Sequence, residues 1–169
     1  MIRCILFDRD GTLGALGDDR YPATFVPYCP IRPVFEALRA RGYTVGILSN
    51  QSSIARGTGR GYDFHSEFAS YGADIWRICP HDDADRCDCR KPKSGMLLSV
   101  CKELGLSPAE CIVVGDRLGD ILCAENVGAV GILVRTGKGE TEKETAQKQF
   151  PNLCVLSRFD DILSYVEAL

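Results

Sequence analysis

The sequence predicts an α/β fold, in which a mostly parallel sheet is covered by helices on both faces. Short apolar runs alternate with segments of helical spacing along the chain, as expected of repeated strand–helix–strand units. Gly42, Gly105 and Gly128 follow three of the helical segments, at positions where glycine commonly ends a helix. We therefore expect a three-layer, Rossmann-like architecture in one domain spanning residues 1–169.

Each predicted element is bounded by a change of pattern. The apolar run 2–7 is broken by acidic residues and Gly11, and segment 31–41 has helical spacing up to a glycine. Segments 49–61 and 136–152, rich in glycine or in charge, are expected to be mainly loop, the first of them mobile. The other predicted strands are 43–48, 74–79, 111–114, 130–134 and 153–156. The other predicted helices are 62–71, 94–104, 118–127 and 159–168.

The composition is that of an ordinary globular protein. Of 169 residues, 45% are hydrophobic and 25% charged, and 20 basic against 23 acidic residues give a net charge of −3. Such a chain has no general attraction for nucleic acid or an anionic membrane, so an anionic ligand must be held by locally placed cations. No apolar run approaches the roughly 18 residues of a membrane helix, and we do not expect the segment that begins at Met1 to be a signal peptide. We expect a cytoplasmic monomer.

Polar or metal-binding residues stand at the ends of four predicted strands. They are Asp8, Ser49, Cys79 and Asp116. In a parallel α/β sheet the ligand site lies beyond the carboxyl ends of the strands. The sequence therefore predicts that these four residues border one site.

The acidic pair Asp8 and Asp10 leaves a buried strand at a turn made by Gly11. Two carboxylates that face one cavity repel each other, so the pair requires a cation. With Asp116, and with Asp120 as a further candidate, they form a set of hard oxygen ligands suited to Mg²⁺. A turn followed by a helix cap is the alternative explanation of the pair.

Four motifs in order resemble those of the haloacid dehalogenase superfamily. The segment Asp-Arg-Asp-Gly-Thr-Leu after an apolar strand resembles the first motif, and Leu-Ser-Asn at 48–50 resembles the second. Lys91 resembles the third motif, and Gly115-Asp116 with Asp120 resembles the fourth. The resemblance covers nearly the whole chain and implies a magnesium-dependent phosphomonoesterase.

The resemblance implies four catalytic roles. Asp8 attacks phosphorus and forms an aspartyl-phosphate. Asp10 protonates the leaving oxygen and later takes a proton from water. Ser49 and Lys91 hold the phosphoryl oxygens. Without the other motifs, a serine in a turn and a solvated lysine would be the ordinary explanation of these last two residues.

The resemblance also implies the magnesium ligands. They are the Asp8 carboxylate, the main-chain carbonyl of Asp10 and the Asp116 carboxylate. Asp120 supports this set, or is a helix-surface acid.

A second metal site is predicted by a cysteine and histidine cluster. Cys79 with His81, and Cys87 with Cys89, form two close pairs within 11 residues. Three thiolates and one imidazole suit tetrahedral Zn²⁺, and four protein ligands leave no open position, so the site would be structural. The zinc loop would span about 79–91. Free thiols beside a surface histidine are the alternative.

This loop resembles that of a phosphatase group within the superfamily. Cys-Pro-His followed by Cys-x-Cys-Arg-Lys-Pro, and the segment Gln-Ser-Ser-Ile-Ala-Arg-Gly at 51–57, resemble phosphatases of heptose bisphosphate and of histidinol phosphate. The resemblance implies five substrate contacts: Asn50, Ser52, Ser53, Arg56 and Arg90. Arg56 could instead be a solvated loop residue.

The substrate is less closely defined than the chemistry. Segment 14–30 departs from the pattern of either phosphatase and is expected to form part of the substrate rim. No insertion is long enough for a cap domain, so loops alone would cover the site. Heptose 1,7-bisphosphate is the leading substrate, and histidinol phosphate is second. A nucleic-acid 3′-end phosphatase and a non-catalytic binding protein are the other classes, disfavoured by the acidic charge and by the intact acid pair.

Overall fold

The computed structural model describes residues 1–18 and 21–169 and confirms the predicted fold class. Its strands are β1 (Cys4–Phe7), β2 (Gly14–Ala15), β3 (Val26–Pro27), β4 (Thr44–Asn50), β5 (Ile75–Cys79), β6 (Cys111–Gly115), β7 (Val130–Val134) and β8 (Cys154–Leu156). Six of them form one sheet in the order β5-β4-β1-β6-β7-β8, with every pairing parallel. β2 and β3 form a separate antiparallel pair.

Seven α-helices lie in the described part of the chain. They are α1 (Ile31–Ala40), α2 (Ser52–Ala55), α3 (Phe64–Ser70), α4 (Gly95–Leu104), α5 (Leu118–Glu125), α6 (Gly139–Gln149) and α7 (Ile162–Glu167). Short 3-10 turns lie at Asp83–Asp85, Pro108–Glu110 and Phe159–Asp161. None of the helices in the described chain is long and apolar enough to cross a membrane.

Alternate residues of β1 face two hydrophobic cores, one on each side of the sheet. Ile5 and Phe7 join a core with α1, α3 and α7, whereas Cys4 and Leu6 join a core with α4 and α5. Phe7 stacks on Phe35 of α1, with ring centroids 5.2 Å apart. Since successive strand side chains point to opposite faces, a strand buried on both faces is apolar throughout, as in 4–7.

The order of strands places a crevice between β1 and β6. From β1 the chain moves outward through β4 to β5, then returns to β6 and moves outward the other way through β7 to β8. At this switch the two following loops run to opposite sides and leave a crevice beyond the carboxyl ends of the strands. Asp8 directly follows β1 and Asp116 directly follows β6. Both therefore lie at the crevice.

The segment 136–152 differs from its prediction, because most of it forms helix α6. Its charged side chains pair within the helix and beside it: Lys148 Nζ lies 2.7 Å from Glu144, and Arg135 Nε lies 2.5 Å from Glu140. Only Ala146 and the first residue, Gly139, are buried, so the hydrophobic periodicity is too weak to read from the sequence.

Two further segments hold more structure than the sequence indicates. In 49–61, β4 continues to Asn50 and α2 follows, held to the end of β5 by a hydrogen bond from Ala55 N to Pro80 O of 3.2 Å. In 14–30, the two-residue strands β2 and β3 pair, and strands of this length leave no periodic pattern. Residues 19 and 20 of that segment lie outside the described chain.

The core on the α1 side predicts a large loss of stability for Phe35→Ala. Phe35 is fully buried, so the change removes its packing and leaves a cavity, at a cost of about 3–5 kcal/mol in the free energy of unfolding. Leu98→Ala is the control. Leu98 lies in a helix of the same length, but its side chain is 45% exposed, so the change should cost less than about 1 kcal/mol. Urea unfolding measures the free energy of unfolding of both variants, and an equal decrease in the two would contradict the assignment of the core.

Candidate active site

A buried lysine joins the acids at the centre of the crevice. Lys91 Nζ lies 2.7 Å from Asp8 Oδ1 and 2.6 Å from Asp120 Oδ1, and it donates to the Leu48 carbonyl at 2.7 Å. These partners come from the ends of β1 and β4 and from the first turn of α5. The ammonium group therefore connects three parts of the fold that are far apart in sequence.

The main chain of Lys91 is fixed by Asn50, the last residue of β4. Asn50 Nδ2 donates to Lys91 O, and Lys91 N donates to Asn50 Oδ1, both at 3.1 Å. This pair of bonds resembles the pairing between two strands and sets where the lysine side chain enters the site. Asn50 thus acts on the position of Lys91, a contact that the sequence did not indicate.

Asp116 is enclosed by backbone on two sides. Its Oδ2 accepts from Lys138 N at 2.8 Å, and an added Cβ at either Gly11 or Gly137 would lie 2.1 Å from that oxygen. Both glycines have positive φ angles, 84° at Gly11 and 57° at Gly137. Any side chain at these positions would displace the carboxylate, so the two turns can approach it only as glycine.

The local electrostatics leave the acids short of positive charge. Burial raises the pKa of Asp8 well above its ordinary value. Lys91 lowers this pKa, whereas the Asp120 and Asp116 carboxylates raise it further. Burial and then Asp120 raise the pKa of Asp116 to about 6. Burial alone would lower the pKa of Lys91, but Asp120 and Asp8 raise it, so the ammonium stays charged.

The acids fit a divalent cation. One carboxylate oxygen from each of Asp8, Asp116 and Asp120 lies within 4.8 Å of the others, and all three residues are buried. Three carboxylates beside one lysine leave unbalanced negative charge in a place that water screens poorly. Carboxylate oxygens are also the donors that Mg²⁺ prefers. The charge and the donor type both suit that ion.

Asp10 lies beside this centre and is held by three donors. Arg9 Nη1 lies 2.6 Å from its Oδ1, while Gln51 Nε2 at 2.8 Å and the Tyr21 hydroxyl at 2.6 Å contact its Oδ2. Gln51 Nε2 also donates to Ser49 Oγ at 2.8 Å. Gln51 therefore links the predicted phosphate-binding serine to the predicted acid.

Arg9 is a fully buried part of the site's support, not an ordinary surface ion pair. Its guanidinium bonds both carboxylate oxygens of Glu67 in α3, at 2.8 and 2.9 Å. It also donates to Pro22 O at 3.2 Å and lies 4.0 Å from the centre of the Phe25 ring. The guanidinium thus donates hydrogen bonds from its nitrogen atoms and packs a face against an aromatic ring. Arg9 thus ties segment 21–25 to helix α3.

The predicted zinc ligands converge at the end of β5. The sulfur of Cys79 lies 3.6 Å from that of Cys87 and 3.3 Å from that of Cys89, and His81 Nδ1 lies 3.3 Å from Cys89 Sγ. Tetrahedral zinc with these ligands needs donors roughly 3.5–3.8 Å apart, so small outward shifts would suit the ion. Burial acts to raise the pKa of Cys87, but the backbone N–H of Arg90 and the thiols of Cys89 and Cys79 lower it to about 7, which favours a thiolate.

A cleft of about 520 Å³ opens beside the central lysine. Residues of the predicted site and of α5 and α6 line it, among them Asn50, Arg90, Lys91, Arg117, Asp120 and Thr141. Helix α6, which was predicted as loop, forms one wall. Arg117 and the α6 residues were not singled out in the sequence, where a charged segment carries no signal of a site wall.

Of the predicted substrate contacts, Asn50 and Arg90 line the cleft. Arg90 also pairs with Asp83. Ser53 is buried behind Gln51, to which its hydroxyl donates at 3.4 Å, and Ser52 is half-buried at the start of α2. Arg56 is exposed and bonds both carboxylate oxygens of Asp82, at 2.6 and 2.9 Å, and it does not line the cleft.

Comparison with known proteins identifies the family of this chain. Residues 88–162 match the model of a family described as HAD-hydrolase-like. A Pseudomonas aeruginosa protein named D-glycero-β-D-manno-heptose-1,7-bisphosphate 7-phosphatase is 36% identical, over 98% of this chain and 96% of its own length. A protein of the same name from Haemophilus ducreyi is 34% identical, over 97% of this chain and 98% of its own.

A solved structure is similar over the whole chain. The D,D-heptose 1,7-bisphosphate phosphatase from B. bronchiseptica, in complex with magnesium and phosphate, superimposes with a TM-score of 0.82 at 27% identity, covering 99% of both chains. The extent of these matches and the sequence identity show the family. The chain belongs to the haloacid dehalogenase superfamily and, within it, to the family of the D-glycero-β-D-manno-heptose-1,7-bisphosphate 7-phosphatases.

Proposed function

We propose that this protein is a magnesium-dependent phosphomonoesterase that acts on D-glycero-D-manno-heptose 1,7-bisphosphate. The observation that carries the proposal is the grouping of Asp8, Asp116 and Asp120 around Lys91, in a chain whose relatives bear that phosphatase name. A buried acid beside a buried cation, at the crevice of a parallel sheet, supplies a nucleophile and a place for an anion.

In the first step the Asp8 carboxylate attacks phosphorus. A phosphoenzyme bond forms to Asp8, and the bond from phosphorus to the sugar oxygen breaks. Asp10 gives a proton to that oxygen as it leaves. Asp10 lies two residues after the nucleophile at the same turn, which supports this assignment.

In the second step water attacks the phosphorus of the aspartyl-phosphate. Asp10 takes a proton from the water, phosphate leaves, and the Asp8 carboxylate is restored. Ser49 and Lys91 hold the phosphoryl oxygens in both steps. Lys91 would turn from Asp8 toward the phosphoryl group, where it offsets negative charge, while Asp120 keeps its position beside the ammonium group.

Mg²⁺ would be held by Asp8, the main-chain carbonyl of Asp10 and Asp116. Asp120 would orient Lys91 beside these ligands. When bound, the ion neutralises charge on the carboxylates and on the phosphoryl oxygens. Two observations support this assignment. The site has more acids than bases, and the similar structure from B. bronchiseptica is a complex with magnesium.

Zn²⁺ would be held by Cys79, His81, Cys87 and Cys89 as a structural ion. Cys89 is followed directly by Arg90 and Lys91, so fixing this cysteine would fix the main chain from which the central lysine extends. The loop is short and polar and has little apolar surface to bury, so the ion would supply most of its order.

The names of the relatives favour a heptose bisphosphate over histidinol phosphate or a nucleic-acid end. Three basic residues of the cleft lining, Arg90, Lys91 and Arg117, would contact the anionic groups of a small sugar phosphate, beside three acids of the same lining. Asn50, Ser52, Ser53 and Arg56 would complete the contacts to substrate. Arg56 would have to leave Asp82 to do so.

Asp8→Asn should abolish phosphate release while keeping the fold. The amide is nearly isosteric but a poor nucleophile, and we expect turnover to fall by at least about 10⁴-fold. The melting temperature should change little, because Lys91 keeps Asp120 as a charged partner and the change relieves repulsion among three buried carboxylates. Glu144→Gln, the same chemical change at an exposed position of α6, is the control. Turnover near that of wild type in Asp8→Asn would refute the mechanism.

The substrate is tested by phosphate release with Mg²⁺ from three esters: heptose 1,7-bisphosphate, histidinol phosphate and a 3′-phosphorylated oligonucleotide. We expect kcat/KM for the heptose ester to exceed the others by about 100-fold or more, since charged groups in the cleft are left unpaired by the wrong ligand. A preference for either of the other two esters would contradict the proposed substrate.

The zinc assignment predicts about one zinc ion per purified chain by elemental analysis. Cys89→Ser should lose the ion and raise KM, because Arg90 and Lys91 lose their fixed starting point. Cys154→Ser, a half-buried thiol on the edge strand β8, should keep it. The assignment is wrong if the wild-type chain contains no zinc and its cluster thiols titrate freely.

A further inference from the structure

The hydrogen-bond donors to Asp10 come from two parts of the chain. Arg9 and Gln51 follow the central strands β1 and β4, whereas Tyr21 belongs to the rim segment 14–30. The Tyr21 hydroxyl lies 2.6 Å from Asp10 Oδ2 and 2.5 Å from Gln51 Oε1. It therefore sits between the predicted acid and the glutamine that also binds it.

Residues 21–25 of the rim segment are held in place by contacts that do not involve substrate. Pro22 O accepts from Arg9 at 3.2 Å, and the Phe25 ring lies against the face of the same guanidinium, 4.0 Å from its carbon. Glu67 in turn binds Arg9 through both carboxylate oxygens. Tyr21 thus lies beside an ion pair whose arginine is fully buried, and this contact fixes the position of its hydroxyl next to Asp10.

We propose that Tyr21 is a positioning residue for Asp10, which links the rim segment to the proton-transfer steps of the proposed phosphatase reaction. This inference rests on the proposed function. The Tyr21 hydroxyl contacts Asp10 and Gln51, so it would act on the reaction through Asp10. It restricts rotation of the Asp10 side chain, so that the carboxyl group spends more of its time where it can reach the leaving oxygen.

The physical reason is the geometry of proton transfer. A general acid works only within hydrogen-bond reach of the atom that it protonates, and it contributes about 10²–10⁴-fold to rate. Without the Tyr21 hydroxyl, Asp10 Oδ2 keeps one donor, Gln51, and gains freedom to turn. A share of that contribution would be lost, and the loss should depend on how much the leaving group needs a proton.

Tyr21→Phe removes the hydroxyl and keeps the ring. Single-turnover release of the leaving group is measured with saturating enzyme and Mg²⁺ for a sugar phosphate and for p-nitrophenyl phosphate. A sugar alkoxide needs a proton to leave, whereas p-nitrophenolate leaves nearly unassisted. We expect about a tenfold slower release of the sugar and less than about a twofold change for p-nitrophenol.

Two controls separate positioning from a general structural effect. Tyr165→Phe removes a tyrosine hydroxyl from α7, on an element remote from the crevice, and should change neither rate. In an Asp10→Asn background, Tyr21→Phe should have less than about a twofold effect on either ester, because residues that act through one group are not additive. Thermal unfolding of each variant shows that it is folded.

Equal slowing of both esters, or an unchanged rate for the sugar phosphate, would overturn the inference. If wild-type protein hydrolyses neither ester, the proposed function fails, and crystal structures of wild type and Tyr21→Phe then decide the positioning claim. A changed or disordered Asp10 side chain in the variant supports it. The same Asp10 rotamer, equally well ordered in both structures, refutes it.

Discussion

The site depends on one buried ammonium group. Lys91 is enclosed by the carboxylates of Asp8 and Asp120 and by the Leu48 carbonyl, with almost no exposed side-chain surface. A charge this far from water is stable only where opposite charges and hydrogen bonds replace its hydration. The acids are stable beside each other only because the lysine is present. Each side of the arrangement therefore requires the other, and the crevice between β1 and β6 is where the fold can bring them together.

Other parts of the structure set the positions of these charges. Asn50 fixes the main chain of Lys91 by two hydrogen bonds, and Asp116 is confined by Gly11 and Gly137. Behind Asp10, the buried pair of Arg9 and Glu67 supplies a rigid base. Groups pre-positioned in this way need little reorganisation when charge develops during phosphoryl transfer. The chain thus places its buried polar side chains in several hydrogen-bonded groups around the crevice.

Much of this could be predicted from the sequence, for reasons that particular segments make clear. The strand at 4–7 is apolar throughout because both of its faces are buried, and the acids that follow it stand out against that background. Helix α6 could not be predicted, because ion pairs and one buried alanine stabilise it without a hydrophobic stripe. The contacts of Tyr21 and Gln51 with Asp10 could not be predicted from the sequence either. They join segments that only the folded chain brings together, and neither residue type marks such a role.

The cysteine and histidine cluster bears on how this fold can diversify. Its donor atoms come from both ends of the loop, Cys79 and His81 on one side and Cys87 and Cys89 on the other. With the proposed Zn²⁺ bound to both pairs, residues between them could be inserted or deleted with little displacement of the chain beyond Cys89. The intervening segment, which contains Asp83 of the cleft wall, is thus free to vary in length. Selection can therefore reshape ligand preference at this border while the reaction centre stays unchanged.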